Sequence, residues 1–278
     1  MKNKIMDFDP KSKKYPYTQD TASHYLKYKK LKDIKVDKSY PFINKKKSFL
    51  FQNHLLRLIL VTFGYLLVKI RLGLRVYGKE NIKENKKLLK RGCISISNHI
   101  HMWDFMAINY AIDPFDPHVL VWENNVKGNL SWFVNHIGGI PIPENDSSAS
   151  KVMYKEVKNY LINGGWLHLY AEGSMWELYR YIRPFKTGAS QIAYMANKPI
   201  LPMAFSYRRP GLIRRKIFRQ EALLTINIGE LIIPDLNHKD KIELTKKCHE
   251  AIVKLAGIKN NIYEPIYNNS KKIEYYVN

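Results

Sequence analysis

Cys-Ile-Ser-Ile-Ser-Asn-His-Ile-His-Met-Trp-Asp, residues 93–104, joins a strand-like segment to a polar turn. Residues 93–97 alternate apolar and small polar side chains, and this alternation predicts a β-strand. An apolar pattern over residues 105–111 predicts that a helix follows. The polar side chains of residues 98–104 are therefore expected between a strand and a helix, where side chains of an α/β protein converge on a cleft.

The chain on either side of this turn alternates strand and helix patterns from residue 91 onward. Strands are predicted at 119–121, 166–170, 200–207 and 223–233, and helices at 127–136, 150–162, 187–196 and 239–255. This alternation predicts the α/β class, with a layered sheet flanked by helices.

The longest apolar run precedes this domain, in residues 48–73. Its uncharged part, Leu58–Val68, has 11 residues, whereas a membrane-spanning helix needs about 20. Basic residues flank both ends of the run. We therefore predict an amphipathic helix that lies on the cytoplasmic leaflet, with a spanning helix and a buried core helix as alternatives. Removal of residues 1–75 is expected to cost membrane binding more than it costs the fold of the rest.

These patterns divide the chain into four parts. They are a basic N-terminal arm (1–47), a membrane-associating helix (48–76), an α/β domain (77–258) and a polar C-terminal tail (259–278).

The charge balance points to a polyanionic partner. The chain has 46 Lys and Arg against 24 Asp and Glu, a net charge of +22, which suits nucleic acid, an anionic membrane surface or acidic substrates. Cys93 and Cys248 are too few for a disulfide scaffold or a Cys-rich zinc site, and we expect two buried thiols in a reducing compartment. The first 48 residues contain no apolar stretch of signal-peptide length, so we expect a cytoplasmic location.

His99 is a candidate general base, because imidazole titrates near neutral pH. Asp104 could fix the tautomer of His99 and stabilise its charged form if the turn folds back. A purely structural His–Asp pair is one alternative. A metal site of His99, His101 and Asp104, as in a metal-dependent hydrolase, is another, although no second cluster with ligand spacing follows.

Two further segments carry polar side chains at the end of predicted elements. Glu172, Gly173 and Ser174 follow a strand; the glycine lets the backbone approach a ligand, and its neighbours can orient polar groups. Arg183 and Lys186 precede a helix, where cations suit phosphate groups. An ordinary turn and a solvated loop are the alternatives.

Taken in order, four motifs resemble one family over residues 75–235. They are Asn-His-x4-Asp at 98–104, Glu-Gly-Ser at 172–174, Pro-Phe-Lys-x-Gly-Ala at 184–189 and Pro-Ile-Leu-Pro at 199–202. Their order and spacing resemble those of the PlsC-like glycerolipid acyltransferases, the 1-acyl-glycerol-3-phosphate acyltransferase family.

The resemblance implies transfer of an acyl group from acyl-CoA or acyl-carrier protein to a hydroxyl of a lyso-lipid at a membrane. In that family the motif histidine takes the acceptor proton and the aspartate supports it, and those roles fall on His99 and Asp104. No metal or redox cofactor is implied, and the expected partners are anionic membrane lipids and the acyl donor rather than nucleic acid. The substrate-binding residues that it implies are Asn98, Glu172, Gly173, Ser174, Arg183, Lys186 and Pro202.

Two departures from the family pattern concern the acceptor. Glu144 follows Gly138–Pro143, where the family usually has an Arg that holds the acceptor phosphate, and Met175-Trp176 stand where an Arg commonly follows the Glu-Gly motif. Either Arg180, Arg183 or Lys186 binds the phosphate instead, or the acceptor differs; we favour a different acceptor. The rival function of another class is a non-catalytic basic protein that binds nucleic acid or membranes.

Overall fold

A seven-stranded mixed β-sheet organises the part of the chain that the computed structural model describes, which is Pro10, His24, residues 28–267 and residues 273–277. The strands lie in the order β1-β7-β6-β2-β5-β3-β4. They are β1 (Arg75–Tyr77), β2 (Cys93–Ser97), β3 (Pro117–Trp122), β4 (Gly139–Ile142), β5 (Trp166–Tyr170), β6 (Ile200–Arg208) and β7 (Leu223–Ile228). β6, β2, β5, β3 and β4 run parallel to one another, whereas β7 is antiparallel to β6 and parallel to β1.

Helices cover both faces of this sheet, so the predicted α/β class with a layered sheet is confirmed. After the N-terminal helix they are α3 (Lys79–Glu84), α4 (Lys86–Leu89), α5 (Asp104–Ile112), α6 (Glu123–Lys127), α7 (Ser131–His136), α8 (Ser147–Ile162), α9 (Gly188–Ala196), α10 (Leu212–Lys216) and α11 (Lys241–Ala256).

β2 is the central strand, and all five of its residues are buried. Ile94 and Ile96 pack into one apolar core with α8, α9 and α11, whereas Cys93 packs into a second core with α5 on the opposite face. Because helices cover both faces of β2, its side chains are not available to a ligand. The polar turn after Ser97 lies beyond the covered part, at the carboxyl ends of the parallel strands.

The N-terminal helix runs from Lys47 to Arg71, as α1 (Lys47–Ile59), a five-residue π-helical segment (Leu60–Gly64) and α2 (Tyr65–Arg71). By length and composition it is long and apolar enough to cross a membrane. One face rests on the α/β domain: Gly64 lies against Met106, and Asn53 Nδ2 donates to the His136 carbonyl at 2.7 Å. The opposite face exposes nine large apolar side chains, which excludes a buried core helix. They are Leu50, Phe51, Leu55, Leu58, Ile59, Phe63, Leu66, Leu67 and Ile70.

The connection to the domain is continuous with the core. Val68, Leu72 and Leu74 are buried in it, and Val36 and Phe42 of the preceding segment are buried as well. A deletion of residues 1–75 would therefore remove core side chains and lower the stability of the rest. The prediction that it costs membrane binding more than it costs the fold stays a prediction.

Two predicted elements differ from those observed, and the predicted tail contains strands. The helix predicted at 127–136 is two short helices, because Gly128 lies in extended conformation directly against the Tyr28 ring. The strand predicted at 223–233 ends at Ile228, and only Ile232 pairs again, with Ile200. The C-terminal tail contains an antiparallel pair of strands, β8 (Tyr263–Tyr267) and β9 (Ile273–Val277).

Candidate active site

The turn after β2 brings His99 and Asp104 together. His99 Nδ1 lies 2.9 Å from Asp104 Oδ2, and the same oxygen accepts hydrogen bonds from the backbone N–H groups of Ile100 at 2.7 Å and His101 at 2.9 Å. Asp104 is the first residue of α5 and is fully buried. Because a carboxylate accepts at Nδ1, the His99 proton is placed on Nδ1, and Nε2 is left with a lone pair.

The His101 ring and carbonyl accept hydrogen bonds within the turn. Its Nδ1 accepts a hydrogen bond from the Trp103 N–H at 3.1 Å, and its carbonyl accepts one from the Asp104 N–H at 3.0 Å. This arrangement favours a turn-forming role for His101 over the metal-ligand alternative.

The Tyr170 ring packs on the His99 ring, and the His168 ring contacts Tyr170 in turn. The His99 ring stacks on Tyr170, with centroids 3.7 Å apart and planes 11° from parallel. Burial, with a contribution from nearby Asp104, raises the pKa of Tyr170 well above its ordinary value, so the hydroxyl stays protonated. Burial also lowers the pKa of His168 to about 3, and this neutral ring bonds Ser95 Oγ at 2.9 Å.

A buried ion pair holds the backbone of the turn. Glu172 Oε2 accepts hydrogen bonds from the His99 N–H at 3.0 Å and from Arg183 Nη2 at 2.8 Å. The Arg183 guanidinium also donates to Ser174 Oγ at 2.7 Å and lies 4.5 Å from the centroid of the Trp176 ring. Glu172 and Arg183 are both almost completely buried, so their charges fix the site rather than face a ligand directly.

A pocket of about 510 Å³ opens beside His99. Its volume is within the range of roughly 300–1,000 Å³ that is usual for small-molecule sites. The inner wall is mainly apolar and is built by β3, α7, α8, β5 and α9. Residues that line it include Val119, Leu120, Phe133, Met153, Leu169 and Ile192.

Charged and aromatic groups also line this pocket. Glu144 is among the lining residues, and its Oε1 accepts a hydrogen bond from Trp122 Nε1 at 2.6 Å. Lys186 lines the same pocket and lies over Gly173, where a Cβ would meet Lys186 Cε at 2.7 Å. Gly173 has φ +77°, so this close approach and the left-handed backbone both require glycine. Among the described residues, the pocket therefore presents the Glu144 carboxylate and the Lys186 ammonium group to a ligand.

The N-terminal arm also contributes to the pocket. The His24 ring stacks on Trp122 with centroids 3.9 Å apart, and the Tyr28 hydroxyl donates to Asn125 Oδ1 at 2.9 Å. Burial and then the nearby Lys186 lower the pKa of His24. Residues 1–9, 11–23 and 25–27 of the predicted arm lie outside the described residues.

The predicted site residues fall into three groups. His99, Gly173, Ser174 and Lys186 line the pocket, while Asp104, Glu172 and Arg183 lie behind these residues and position them. Asn98 and Pro202 lie elsewhere. The buried Asn98 amide exchanges two hydrogen bonds with the backbone of Phe205 in β6, and Pro202 lies within β6 with its carbonyl accepting from the Gly229 N–H.

Sequence reasoning missed the aromatic residues of the site. Tyr170 stands two residues before Glu172, so its place at the end of β5 was the available signal. Trp122 likewise ends β3, but nothing in the local pattern indicates that it meets Glu144, because the contact is formed between two strand ends.

A family model and solved structures match the chain. Residues 73–206 match the family model described as Acyltransferase. Among solved structures, the 1-acyl-sn-glycerophosphate (LPA) acyltransferase PlsC from Thermotoga maritima is similar at 18% sequence identity and a TM-score of 0.49, covering 74% of this chain and 85% of that chain. No curated protein matches the chain.

Proposed function

We propose that this protein transfers a fatty acyl group from a thioester donor, acyl-CoA or acyl-carrier protein, to a hydroxyl of a lyso-lipid. Residues 73–206 match the acyltransferase family model, which supports this chemistry. The observation that carries this proposal is the His99–Asp104 pair, which lies beside a largely apolar pocket of about 510 Å³. Such a pocket suits an acyl chain, and a base beside it suits an acceptor hydroxyl.

His99 and Asp104 supply general base catalysis in this proposal. His99 Nε2 takes the proton of the acceptor hydroxyl while the hydroxyl oxygen attacks the thioester carbonyl carbon. The carbon–sulfur bond then breaks, and the imidazolium returns the proton to the thiolate, which leaves as a free thiol. Asp104 Oδ2 stabilises the imidazolium charge through Nδ1.

Glu172 and Arg183 position the base, and Gly173, Ser174 and Lys186 contact the substrates. Glu172 accepts a hydrogen bond from the His99 N–H, and Arg183 donates one to the Ser174 hydroxyl, so the ion pair holds both groups in place. Lys186 is the exposed cation of the pocket, so it is our choice for a phosphate of the donor or acceptor.

The acceptor is proposed to carry a cationic or hydroxyl-rich head group rather than a bare phosphomonoester. Glu144 lines the pocket instead of pointing away from it. Two of the cations that could replace the usual arginine are engaged elsewhere, since Arg183 is buried against Glu172 and Arg180 lies over the Tyr181 ring. A carboxylate in the pocket repels a phosphate dianion and attracts an ammonium group or hydroxyl donors.

The protein is proposed to act as a monotopic protein on the cytoplasmic leaflet. The apolar face of the helix Lys47–Arg71 is the proposed contact, because its other face packs along the α/β domain, from Asn53 to Lys69. If this helix crossed the bilayer, the polar groups of the domain that pack against it would have to enter the hydrocarbon region, which is unfavourable. The net charge of +22 suits the anionic leaflet.

One assay tests the activity. Purified protein is incubated with labelled acyl-CoA or acyl-carrier protein and a panel of lyso-lipids, and the products are read by mass spectrometry. We expect a diacyl product that is lost in His99→Ala. Binding of lipid or nucleic acid without any transfer to a member of the panel would favour the non-catalytic alternative.

A further inference from the structure

The β6–β7 loop, residues 209–222, presents a dense apolar surface to solvent. Leu212, Ile213, Ile217 and Phe218 are each 55–69% exposed, on and directly after the short helix α10. Four large apolar side chains within seven residues form a contiguous patch, and soluble proteins keep such patches for interaction surfaces.

Exposed cations alternate with these apolar side chains. Arg209, Arg215, Lys216 and Arg219 are all exposed, and the sequence contains no Asp or Glu from residue 209 to residue 220. Mixed apolar and basic side chains on one short segment are the composition of elements that enter the head-group region of an anionic leaflet.

The position of the loop connects it to the apolar helix and to the candidate site. Arg214 Nη1 donates to the Ile70 carbonyl at 2.9 Å, and Gln220 Nε2 donates to the Arg71 carbonyl, so the loop is joined to the end of the helix Lys47–Arg71. The loop follows the carboxyl end of β6, and β6 runs parallel to β2. The loop and His99 therefore leave the sheet at the same edge.

We propose that the β6–β7 loop is a second membrane-insertion element. Leu212, Ile213, Ile217 and Phe218 enter the apolar part of an anionic leaflet, and Arg215, Lys216 and Arg219 meet the lipid phosphates. The inference rests on the proposed membrane association of the N-terminal helix. The N-terminal helix and the loop together would fix the tilt of the domain relative to the membrane, which the helix alone would not. In this orientation the edge of the sheet that carries His99 faces the lipid.

A fluorescent label on the full chain tests the insertion. Ile217→Cys is labelled with an environment-sensitive maleimide; Cys93 and Cys248 are 0% and 2% exposed, so labelling is directed to the new thiol. Ile233→Cys is the matched control, because Ile233 is equally apolar and 58% exposed but lies beyond Ile232, beside the amino end of β6. The probe surfaces are phosphatidylcholine vesicles with and without phosphatidylglycerol.

We expect a blue shift, and quenching by nitroxide-labelled lipid, for the label at 217 on anionic vesicles and not for the label at 233. As a second readout, Ile217→Asn with Phe218→Asn should weaken vesicle binding about tenfold or more, since burial of each apolar side chain is lost. Ile233→Asn should leave binding unchanged.

The outcomes separate the two levels of the proposal. Vesicle binding by the unmodified protein with an unshifted label at 217 overturns the inserted loop and leaves the proposed helix contact standing. No vesicle binding at all overturns both. Salt-sensitive binding of duplex nucleic acid that shields the label at 217, without any lipid shift, also overturns the inference and assigns the loop to nucleic acid.

Discussion

Asp104 gives one carboxylate oxygen to three donors, the His99 ring and the N–H groups of Ile100 and His101. The side chain therefore builds the turn and holds the base in one tautomer at the same time. The spacing of five residues in the sequence allowed this pairing to be predicted, because a short turn before a helix returns the first helical side chain to the turn. The orientation of the pair toward an apolar pocket required the structure.

The first prediction concerns this pair. His99→Ala should lower turnover about 10²–10⁴-fold, the usual contribution of a positioned general base. Asp104→Asn should also be slow, because the amide cannot stabilise an imidazolium as a carboxylate does. Initial rates with saturating acyl-CoA measure both effects. His101→Ala is the matched control and should keep turnover within about tenfold; an inactive His101→Ala with an active His99→Ala would reverse the assignment.

The second prediction concerns Glu144. Glu144→Arg should raise the rate with lysophosphatidate relative to zwitterionic and glycosylated lyso-lipids, because the charge in the pocket changes from repulsive to attractive. The ratio of kcat/KM between acceptors is the measurement. Glu230→Arg makes the same charge reversal at an exposed position after β7 and should leave the ratio unchanged. A strong wild-type preference for lysophosphatidate that the new arginine does not improve would refute the changed acceptor and point to Lys186 as the phosphate site.

Glu172 and Arg183 mark the limit of sequence reasoning at this scale. Both residue types suggested substrate contact, yet they bond each other in the interior. Their burial depends on how the loop after β5 folds under the His99 turn, where the Trp176 and Leu178 N–H groups donate to the His99 and Ile100 carbonyls. No local pattern reports such a long-range arrangement.

Among the elements, the N-terminal helix has an exposed apolar face that is longer than its uncharged run, Leu58–Val68. Arg57 and Lys69 bound the uncharged run, but both side chains turn toward the domain: Arg57 pairs with Asp116, and the Lys69 ammonium lies 5.1 Å from the centroid of the Tyr110 ring. The exposed face consequently stays apolar past both charges. The presence of the helix could be predicted from the sequence, whereas its docked side depends on the domain.

The third prediction separates the two faces of this helix. Phe63→Asn with Leu66→Asn should weaken binding to anionic vesicles about tenfold or more, since two exposed apolar side chains are lost from the contact. The free energy of unfolding should change by less than about 0.5 kcal/mol per substitution, as for exposed sites elsewhere. Co-sedimentation and urea unfolding measure the two quantities.

Val68→Asn provides the contrast on the docked face. Val68 is buried against α5, so an amide there should lower the free energy of unfolding by about 1–3 kcal/mol. Unchanged vesicle binding in the Phe63 and Leu66 variant, with a loss of stability, would show that the exposed face is a folding surface instead of a membrane contact.

At the scale of the whole molecule, alternating strand and helix patterns were enough to predict a layered α/β fold. The order and direction of the strands were not. β7 runs antiparallel to β6 because a loop, rather than a crossover helix, connects them, and β1 and β4 are too short to give a periodic signal. These features depend on pairing between distant segments.

The fourth prediction is a loss of stability in mild acid. Burial lowers the pKa of His168 to about 3 and those of His118 and His249 to about 4 from an ordinary value of 6.5. Below pH 6.5 the unfolded chain therefore binds protons that the folded protein does not. The free energy of unfolding should fall by about 1.4 kcal/mol per pH unit for each histidine, until the pH reaches the folded pKa.

Urea unfolding between about pH 7.5 and about pH 4.5 tests this slope. His249→Gln removes one of these three histidines and retains a donor for the Ile182 carbonyl, which His249 Nε2 meets at 3.4 Å. The free energy of unfolding of the variant should fall less steeply with decreasing pH, by a slope that corresponds to about one bound proton. Equal slopes for the variant and the wild type would contradict the role of His249.

The site also depends on the number of residues in the turn from His99 to Asp104. Asp104 reaches the His99 ring only because it begins α5 after four intervening residues, with its side chain folded back over the N–H groups of that interval. An inserted residue would lengthen the turn by up to about 3.5 Å and carry the carboxylate away from the imidazole. A substitution within the turn can keep the His99–Asp104 contact, whereas an insertion or a deletion there would break it. The number of residues between the base and the carboxylate is therefore fixed. Homologous chains with a different number would need another partner for the histidine.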